Sequence, residues 1–149
     1  MRAITVLHPV ITVSDMDVAL EFYRDLLGLE VSIDHVHDPI LLEPLLGVRN
    51  ANVRAVVLKC PDGTEVELVD FRYPRGKATV DKRFEDSGIT FVTLIVEDLD
   101  AVVALLKNGG FETTGPITEY PLPTRVRVVY CFGPDRTALT LAEYLPRSG

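Results

Sequence analysis

The segment VRAVVLKCPDG, residues 53–63, decides the fold, because it recurs 73 positions later as VRVVYCFGPDR, residues 126–136. The match continues downstream, where TEVELVDF at 64–71 corresponds to TALTLAEY at 137–144. Upstream the offset is 83, since VSDMD at 13–17 corresponds to VEDLD at 96–100. The ten-residue difference indicates extra loop in the first copy, between Asp34 and Asn52. The chain is therefore two copies of one unit, each of about 70 residues.

Each copy predicts a βαβββ unit. In the first, a β-branched run at 7–13 predicts a strand, and Ser14 with Asp17 predicts a capping box for a helix that ends at Gly28. Strands at 30–34, 52–59 and 65–71 follow, the last two joined by a Pro-Asp-Gly turn. The second copy predicts a strand at 89–96, a helix at about 98–107 and short strands to Tyr144. The predicted organisation is module one at 1–72, a linker at 73–87 and module two at 88–146.

Composition narrows the class of protein. The 149 residues are 47% hydrophobic and 25% charged, with a net charge of −7. An acidic chain argues against nucleic acid or an anionic membrane as partner, since both attract basic surfaces, and no apolar run reaches the length of a spanning helix. Cys60 and Cys131 are too few for a disulfide framework, and the first residues lack a signal peptide's apolar stretch. We expect a cytoplasmic protein with a small-molecule substrate or ligand.

Three segments together resemble one known family. They are HPVITVSDMD at 8–17 with ALEFYRDLLGLE at 19–30, PDGTEVEL at 61–68, and GITFVTLIVEDLD at 88–100. In this combination the chain resembles the vicinal oxygen chelate superfamily, the group of glyoxalases, bleomycin-resistance proteins and extradiol dioxygenases. The resemblance implies a glyoxalase-like α+β fold, in which two tandem βαβββ modules form a cup-shaped mixed sheet around a site. It also implies metal ligands on the first and fourth strands of each module.

The first module has polar residues at both ligand positions. The period of two along a strand places His8 on one face of the first strand and Glu67 on one face of the fourth. The resemblance implies that these faces line the cup, where the two residues are candidate ligands for Zn, Mn, Fe or Ni. The alternative is that both are ordinary polar surface residues. The second module has Phe91 and Thr140 at the matching positions, so only half of a four-ligand site remains.

Three additions could complete a metal site. His35 or His37 in the extra loop could fold over the cup, although a surface loop is usually exposed. A two-fold dimer of first modules could bring together two copies of His8 and two of Glu67. Glu143 is a third candidate, but the period of two places it on the opposite face of its strand unless a bulge intervenes.

The same residues also suit chemistry without a metal. His8 and Glu67 can form an acid–base pair, in which the carboxylate orients the imidazole. Arg54 and Arg127 occupy equivalent positions on the third strands, where they either stabilise an anion in the cavity or form cross-strand ion pairs. Cys131, like Cys60, is interpreted as a packing residue, because no base lies near it in the sequence. The candidate substrate-pocket residues are Phe91, Thr140, His37 and Tyr130.

Two functional hypotheses follow. The first is an isomerase, epimerase or lyase that abstracts a proton next to a carbonyl and stabilises the enediolate, with the apolar stretch at 38–47 either covering the substrate or forming a short surface helix. Within the family, the opening segment and the insert of this chain are most similar to methylmalonyl-CoA-epimerase-like members. The second is a protein that sequesters a ligand, like the bleomycin-resistance members. An extradiol dioxygenase is disfavoured because Phe91 replaces a histidine of its metal triad. We expect a homodimer, because the predicted sheets have open edges and because members of the family that the chain resembles are commonly dimers.

Overall fold

Both halves of the chain contain four strands, with a helix between the first and the second. The computed structural model describes residues 1–77, 81, 83–120 and 125–146, and its contacts divide the chain into two units, Met1–Ala78 and Thr79–Gly149. The strands of unit one are β1 (Val10–Val13), β2 (Glu30–Val36), β3 (Asn52–Lys59) and β4 (Glu65–Tyr73). Those of unit two are β5 (Val92–Ile95), β6 (Thr118–Tyr120), β7 (Val126–Phe132) and β8 (Ala138–Tyr144). The helices are α1 (Met16–Leu20), continued by a π-helical segment (Glu21–Leu26), α2 (Pro39–Leu46), α3 (Leu99–Asn108) and a 3-10 turn (Pro134–Arg136).

The two sheets share one topology and one register. The strand order is β1-β4-β3-β2 in unit one and β5-β8-β7-β6 in unit two, and in each the first and fourth strands pair in parallel. Val10 pairs with Glu67 in the first sheet, and Thr93 pairs with Thr140 in the second. These two pairs are related by the sequence offsets of 83 and 73. The structure therefore confirms the two tandem βαβββ modules of an α+β fold.

Each sheet buries one face against its helix. Along β4, Val66 and Leu68 are buried while Glu65 and Glu67 remain partly exposed, which is the alternation expected of a half-buried strand. Helix α3 presents Leu99, Val103 and Leu106 to the core of unit two. The larger buried side chains of the helix-facing side of that sheet are those of Val129, Cys131, Leu139 and Leu141. Burial of each large apolar side chain contributes about 1.5–3 kcal/mol, so this packing provides most of the stability of a module.

Both main helices begin at an aspartate. The Asp15 carboxylate accepts hydrogen bonds from the N–H groups of Asp17 and Val18, at 2.9 and 3.2 Å. Asp98 accepts from the Ala101 N–H at 2.9 Å, and the two aspartates are equivalent in the repeat. The prediction that Ser14 caps α1 was therefore wrong by one residue, because the aspartate side chain reaches the free N–H groups of the first turn. The predicted end at Gly28 is confirmed by its positive φ of 76°.

Several predicted strands have different ends. The strand predicted at 7–13 begins only at Val10, since Pro9 has no N–H to donate to a ladder. The strand predicted at 89–96 is limited to Val92–Ile95. Strand β4 extends to Tyr73, which the predicted linker at 73–87 had included. Linker residues 78–80 and 82, and residues 121–124 of module two, lie outside the described residues.

The extra loop of the first copy contains α2. The Asp38 carboxylate caps this helix by accepting from the Ile40 N–H at 2.9 Å. Leu42 is its buried residue and packs with Ala51 and Val53. Ile40 is 80% exposed, so much of the helix surface faces outward. This agrees with the prediction of a short surface helix. Within the described part of the chain, no helix has the length and apolarity to cross a membrane.

Candidate active site

Pairing between the first and fourth strands continues past β1 and positions His8. The Glu67 N–H donates to the Pro9 carbonyl at 3.0 Å, so the chain before β1 still runs along β4. His8 Nε2 then lies 2.9 Å from Glu67 Oε2, within hydrogen-bond distance. The two side chains are 17% and 19% exposed. The structure thus brings together the two residues that the sequence places at the site, in a partly buried pair.

Glu65 is a third member of the site, which sequence reasoning did not single out. Its Oε2 lies 3.8 Å from His8 Nδ1, and its Oε1 lies 3.6 Å from Lys59 Nζ. Residues 65 and 67 alternate with buried Val66 on β4, so both carboxylates lie on the same strand face. The signal in the sequence was the Glu-x-Glu spacing, with the histidine on the adjacent parallel strand.

An imidazole between two carboxylates can hold a proton. In a neutral imidazole one nitrogen donates and the other accepts. With Nε2 donating to Glu67, the buried Nδ1 atom of His8 has no hydrogen-bond partner among the described residues. When the ring gains a second proton, both nitrogens are donors and each has a carboxylate on its side, Glu67 or Glu65. The arrangement therefore suits general acid–base chemistry.

The residues present do not fit the four-ligand metal site that the family resemblance implies. His8 and Glu67 offer one nitrogen and one carboxylate, whereas their counterparts Phe91 and Thr140 offer no good ligand. Throughout 1–77, 81, 83–120 and 125–146, no three His, Cys, Asp or Glu side chains converge where they could hold a metal ion. A catalytic zinc ion ordinarily has three protein ligands. The described residues of one chain therefore supply fewer ligands at this position than such a site needs.

His35 and His37 do not complete the pair. His35 lies on β2, at the edge of the sheet opposite to β1. Its Nε2 atom is 3.2 Å from His37 Nδ1, and the two ring centroids are 4.1 Å apart. The two histidines contact each other, and the structure does not bring them to His8 and Glu67. The role of His37 in a substrate pocket stays a prediction.

The two candidate arginines lie on the helix side of their sheets. Arg54 forms two hydrogen bonds with Asp34, at 2.9 and 2.8 Å, and its Nη1 is 3.4 Å from an Asp17 carboxylate oxygen in α1. Arg127 makes the equivalent contact with Asp100 of α3, at 2.7 Å. The sequence had left a cavity role and an ion-pair role open, and these contacts are the ion pairs. Arg54 is not beside His8 and Glu67, because Glu67 lies on the other face of the same sheet, and Arg127 lies on the corresponding face of its own sheet.

The electrostatics of these ion pairs follow from their hydrogen bonds. The Arg54 guanidinium holds the pKa of Asp34 below its ordinary value, and the Asp34 carboxylate raises the pKa of Arg54. The Asp100 carboxylate likewise raises the pKa of Arg127. Glu143 is 3.1 Å from Arg127 and lies on the opposite face of β8 from Thr140, as the period of two predicts. It therefore does not supply a third ligand.

The candidate pocket residues of module two are neighbours. The rings of Phe91 and Tyr130 have centroids 5.9 Å apart, and Tyr130 pairs in register with Thr140. Phe84, from the segment before β5, contacts both rings and was missed by sequence reasoning. Its contact with Tyr130 joins residues far apart in the sequence, which no local pattern predicts. Cys131 packs on the other face, where burial raises the pKa of its thiol from 9.0 to about 11 and keeps it neutral.

Two surface cavities lie away from these residues. One, of about 380 Å³, lies between α3 and residues 113–117, next to Val103 and Lys107. The other, of about 520 Å³, lies beside α2, next to Ile40 and Arg49. Neither is lined by His8 or Glu67.

Comparison with solved structures supports the same architecture. A glyoxalase family protein from Bacillus cereus is 24% identical, with a TM-score of 0.87 over 98% of this chain and 97% of that one. Glyoxalase I from Leishmania major, described as trypanothione-dependent, is 21% identical, with a TM-score of 0.63 over 95% and 87%. The fosfomycin resistance protein FosX from Listeria monocytogenes, in complex with Mn(II) and sulfate, is 10% identical, with a TM-score of 0.65 over 97% and 95%. At these identities the likeness shows the fold.

The sequence itself shows the family. Comparison with curated proteins gave no significant match. Residues 5–141, most of the chain, match the family described as the Glyoxalase/Bleomycin resistance protein/Dioxygenase superfamily. The matched residues include both modules and the His8–Glu67 pair. This chain therefore belongs to that superfamily, the vicinal oxygen chelate group.

Proposed function

We propose that this protein is a glyoxalase-fold enzyme that acts on a small carbonyl-containing or anionic substrate. In this proposal His8 takes a proton from the carbon next to the carbonyl and returns it, which is isomerase, epimerase or lyase chemistry. The observation that carries the proposal is the 2.9 Å contact between His8 Nε2 and Glu67 Oε2, with the Glu65 carboxylate on the other ring nitrogen. No step of the proposal requires a metal ion.

The roles follow from the site's geometry. Glu67 holds the imidazole in one orientation, and both carboxylates balance the charge that the ring acquires with the proton. The 3.8 Å separation between Nδ1 and Glu65 is longer than a hydrogen bond, and contacts of this kind commonly shorten only when substrate binds. His8 keeps 17% of its side chain exposed, and the proposal requires that side-chain motion uncover the Nδ1 atom, which is buried in this conformation. The enediolate oxygen needs a donor of its own, and the Lys59 ammonium, 3.6 Å from Glu65, is a candidate.

Deuterium exchange tests this proposal without knowledge of the natural substrate. A panel of 2-oxo acids, α-hydroxy carbonyl compounds and 2-substituted malonyl thioesters would be incubated with the protein in D₂O. Loss of the C–H proton signal, followed by proton NMR, reports proton abstraction next to the carbonyl. We expect exchange on at least one class, reduced by roughly 100-fold or more in His8→Asn and by a smaller factor in Glu67→Gln.

The matched control is His35→Asn, which removes an imidazole outside the pair and should leave exchange unchanged. Equal exchange in wild type and His8→Asn would contradict the proposal. The panel is repeated after EDTA treatment and after addition of Zn, Mn, Fe or Ni. Exchange that appears only with one metal would replace the metal-free mechanism with a metal-dependent one.

A second candidate function is ligand sequestration without chemistry. The observation that favours it is the second module, where Phe91 and Thr140 replace the histidine and the carboxylate. A His8→Ala variant separates the two functions. An enzyme loses turnover while it keeps affinity for its ligand, whereas a sequestering protein shows a change in affinity alone.

A further inference from the structure

A ring-sized slot lies on the sheet of module two, and a phenylalanine of the same chain fills it. The ring of Phe84 lies 5.2 Å from that of Phe91, 5.0 Å from that of Tyr130 and 4.9 Å from that of Phe132, measured between centroids. The rings of Phe84 and Tyr130 are stacked on each other, with an interplanar angle of 23°. Phe84 therefore occupies the centre of a cluster whose other three rings are borne on or next to the sheet.

The three surrounding rings are placed by the strands. Tyr130 and Phe132 are two residues apart on β7, so their side chains share one face, and Phe91 directly precedes β5. The intervening residue, Cys131, is fully buried on the helix side. Phe91 and Tyr130 remain 40% and 42% exposed even with Phe84 between them. The sheet thus holds an aromatic surface that Phe84 covers only in part.

Phe84 lies outside the strands, whereas Tyr130 and Phe132 lie on β7. Its segment, residues 83–91, contains no described helix or strand. The backbone bonds here are local, from the Asp86 N–H to the Arg83 carbonyl and from the Ile89 N–H to the Asp86 carbonyl, both at 3.2 Å. Phe132 is also covered on its own side by the Arg136 guanidinium, 4.3 Å from the ring centroid. A free aromatic ring can therefore compete with Phe84 for the same three rings.

Thr140 gives the slot one polar group. This residue is 5% exposed, and its hydroxyl has no hydrogen-bond partner among the described residues. It pairs in register with Tyr130, so its side chain lies on the same face as the stacked ring. A buried hydroxyl without a partner costs free energy. A ligand with a polar substituent would satisfy it.

We infer that this slot binds a small planar aromatic molecule with one polar substituent. The ligand ring replaces Phe84 on Tyr130, between Phe91 and Phe132, and the substituent forms a hydrogen bond with the Thr140 hydroxyl. Aromatic rings prefer such offset-stacked and edge-to-face neighbours at 4.5–7 Å. The inference goes beyond the proposed proton transfer, because it concerns binding by module two alone and holds whether or not His8 is catalytic.

The test measures binding of phenol, with cyclohexanol as the saturated control of similar size. Affinity is obtained from shifts of labelled methyl signals of residues on β7 and β8 that no variant alters, such as Val126 and Leu139, in the full chain. We expect the aromatic probe to bind and the saturated probe to bind at least 5-fold more weakly. In Phe84→Ala the slot is empty, so the aromatic probe should bind about 5- to 10-fold more tightly than in wild type. Phe84→Leu, which still fills the slot, should show a smaller gain.

Two further variants locate the ligand. Thr140→Val keeps the shape of the side chain and removes the hydroxyl, so we expect about 5-fold weaker binding without a lower Tm. Tyr144→Leu, at the exposed end of β8, is the matched control and should leave binding unchanged. Equal affinity for the two probes, or equal affinity of wild type and a folded Phe84→Ala, would overturn the inference. If Phe84→Ala fails to fold, the same comparison is made with Phe84→Leu.

Discussion

Arg54 and Arg127 show that the face of a strand decides what a residue can do. Both arginines lie on the helix side, and each contacts an aspartate at the start of its module's helix, Asp17 or Asp100. These aspartates are equivalent in the repeat. The two modules share this arginine–aspartate contact although their candidate site residues differ. We therefore attribute the contact to the fold that the modules share. At the residue scale, each arginine forms an ion pair between the sheet and the helix of its own module.

Replacement of Arg54 by Met tests this structural role. Arg54 and Asp34 are 19% and 39% exposed, so solvent weakens the pair, and we expect a loss of about 1 kcal/mol in the free energy of unfolding at pH 7. The pKa of Asp34 is lowered by folding, so the contribution is present above its ordinary value of 3.8 and is lost as pH falls through the lower folded value. The difference in the free energy of unfolding between wild type and R54M should therefore become smaller at acid pH.

Urea unfolding at several pH values measures this difference. Arg24→Met is the matched control, because Arg24 pairs only with its neighbour Asp25 on the same helical segment. It should unfold like wild type. If Arg54→Met were as stable as wild type at pH 7 but could not support proton exchange, the arginine would belong to the chemistry instead.

At the scale of elements, the two helices begin in the same way although their first residues differ. Asp15 and Asp98 each accept hydrogen bonds from N–H groups in the first turn, and each follows the first strand of its module. The turn after the third strand differs more between the two modules, because its sequence is Pro-Asp-Gly in the first and Pro-Asp-Arg in the second. Gly63 has a φ of 86°, whereas Arg136 at the matching position has a φ of 52°, which is costly for a residue with a side chain. Equivalent turns therefore keep a positive φ at this position although their residues differ.

Substitution of the caps distinguishes Asp15 from Ser14. Asp15→Ala removes the acceptor for two N–H groups of α1, so the free energy of unfolding should fall by about 1 kcal/mol. Ser14→Ala should change it by clearly less. Chemical denaturation of both variants and of Asp98→Ala measures the effect. A larger loss for Ser14→Ala than for Asp15→Ala would restore the capping box that the sequence predicts.

At the scale of the molecule, the open edge of the first sheet favours a second copy as partner. All seven residues of β2 are exposed, including Val31, Ile33 and Val36 at 40%, 50% and 50%. An exposed edge strand with apolar side chains is a surface that proteins usually cover. We propose a homodimer, to be tested by light scattering on the purified chain.

Metal content per chain, read together with the mass in solution, tests the ligand count. Because His8 and Glu67 supply only two ligands, we expect far less than one equivalent of Zn, Mn, Fe or Ni after dialysis, by plasma emission spectrometry on untagged protein. One metal per dimer, lost in Glu67→Gln, would instead show a site shared across a two-fold axis. One metal per chain would show that a third ligand exists in each copy.

Much of the architecture could be predicted from the chain alone. The offsets of 73 and 83 gave two equivalent modules, and the period of two along β4 separated Glu67 from the buried face that holds Leu68. These features are local, because the spacing of residues along a strand or helix fixes which face each occupies. His8 and Glu67 were paired because the family resemblance implies ligands on the first and fourth strands. The cap at Asp15 and the strand end at Pro9 were missed, because neighbouring residues offer competing local signals.

The sequence by itself thus determined the superfamily, the repeat and the polar pair of module one. Only the tertiary structure decided which residues meet across strands and loops. It placed Glu65 beside His8 Nδ1, turned Arg54 toward α1, and brought Phe84 to Tyr130 and Phe132, which are far from it in sequence. Such contacts depend on strand register and on the path of loops, which packing of the whole module selects. That is why the sequence predicts the fold better than the chemistry of its site.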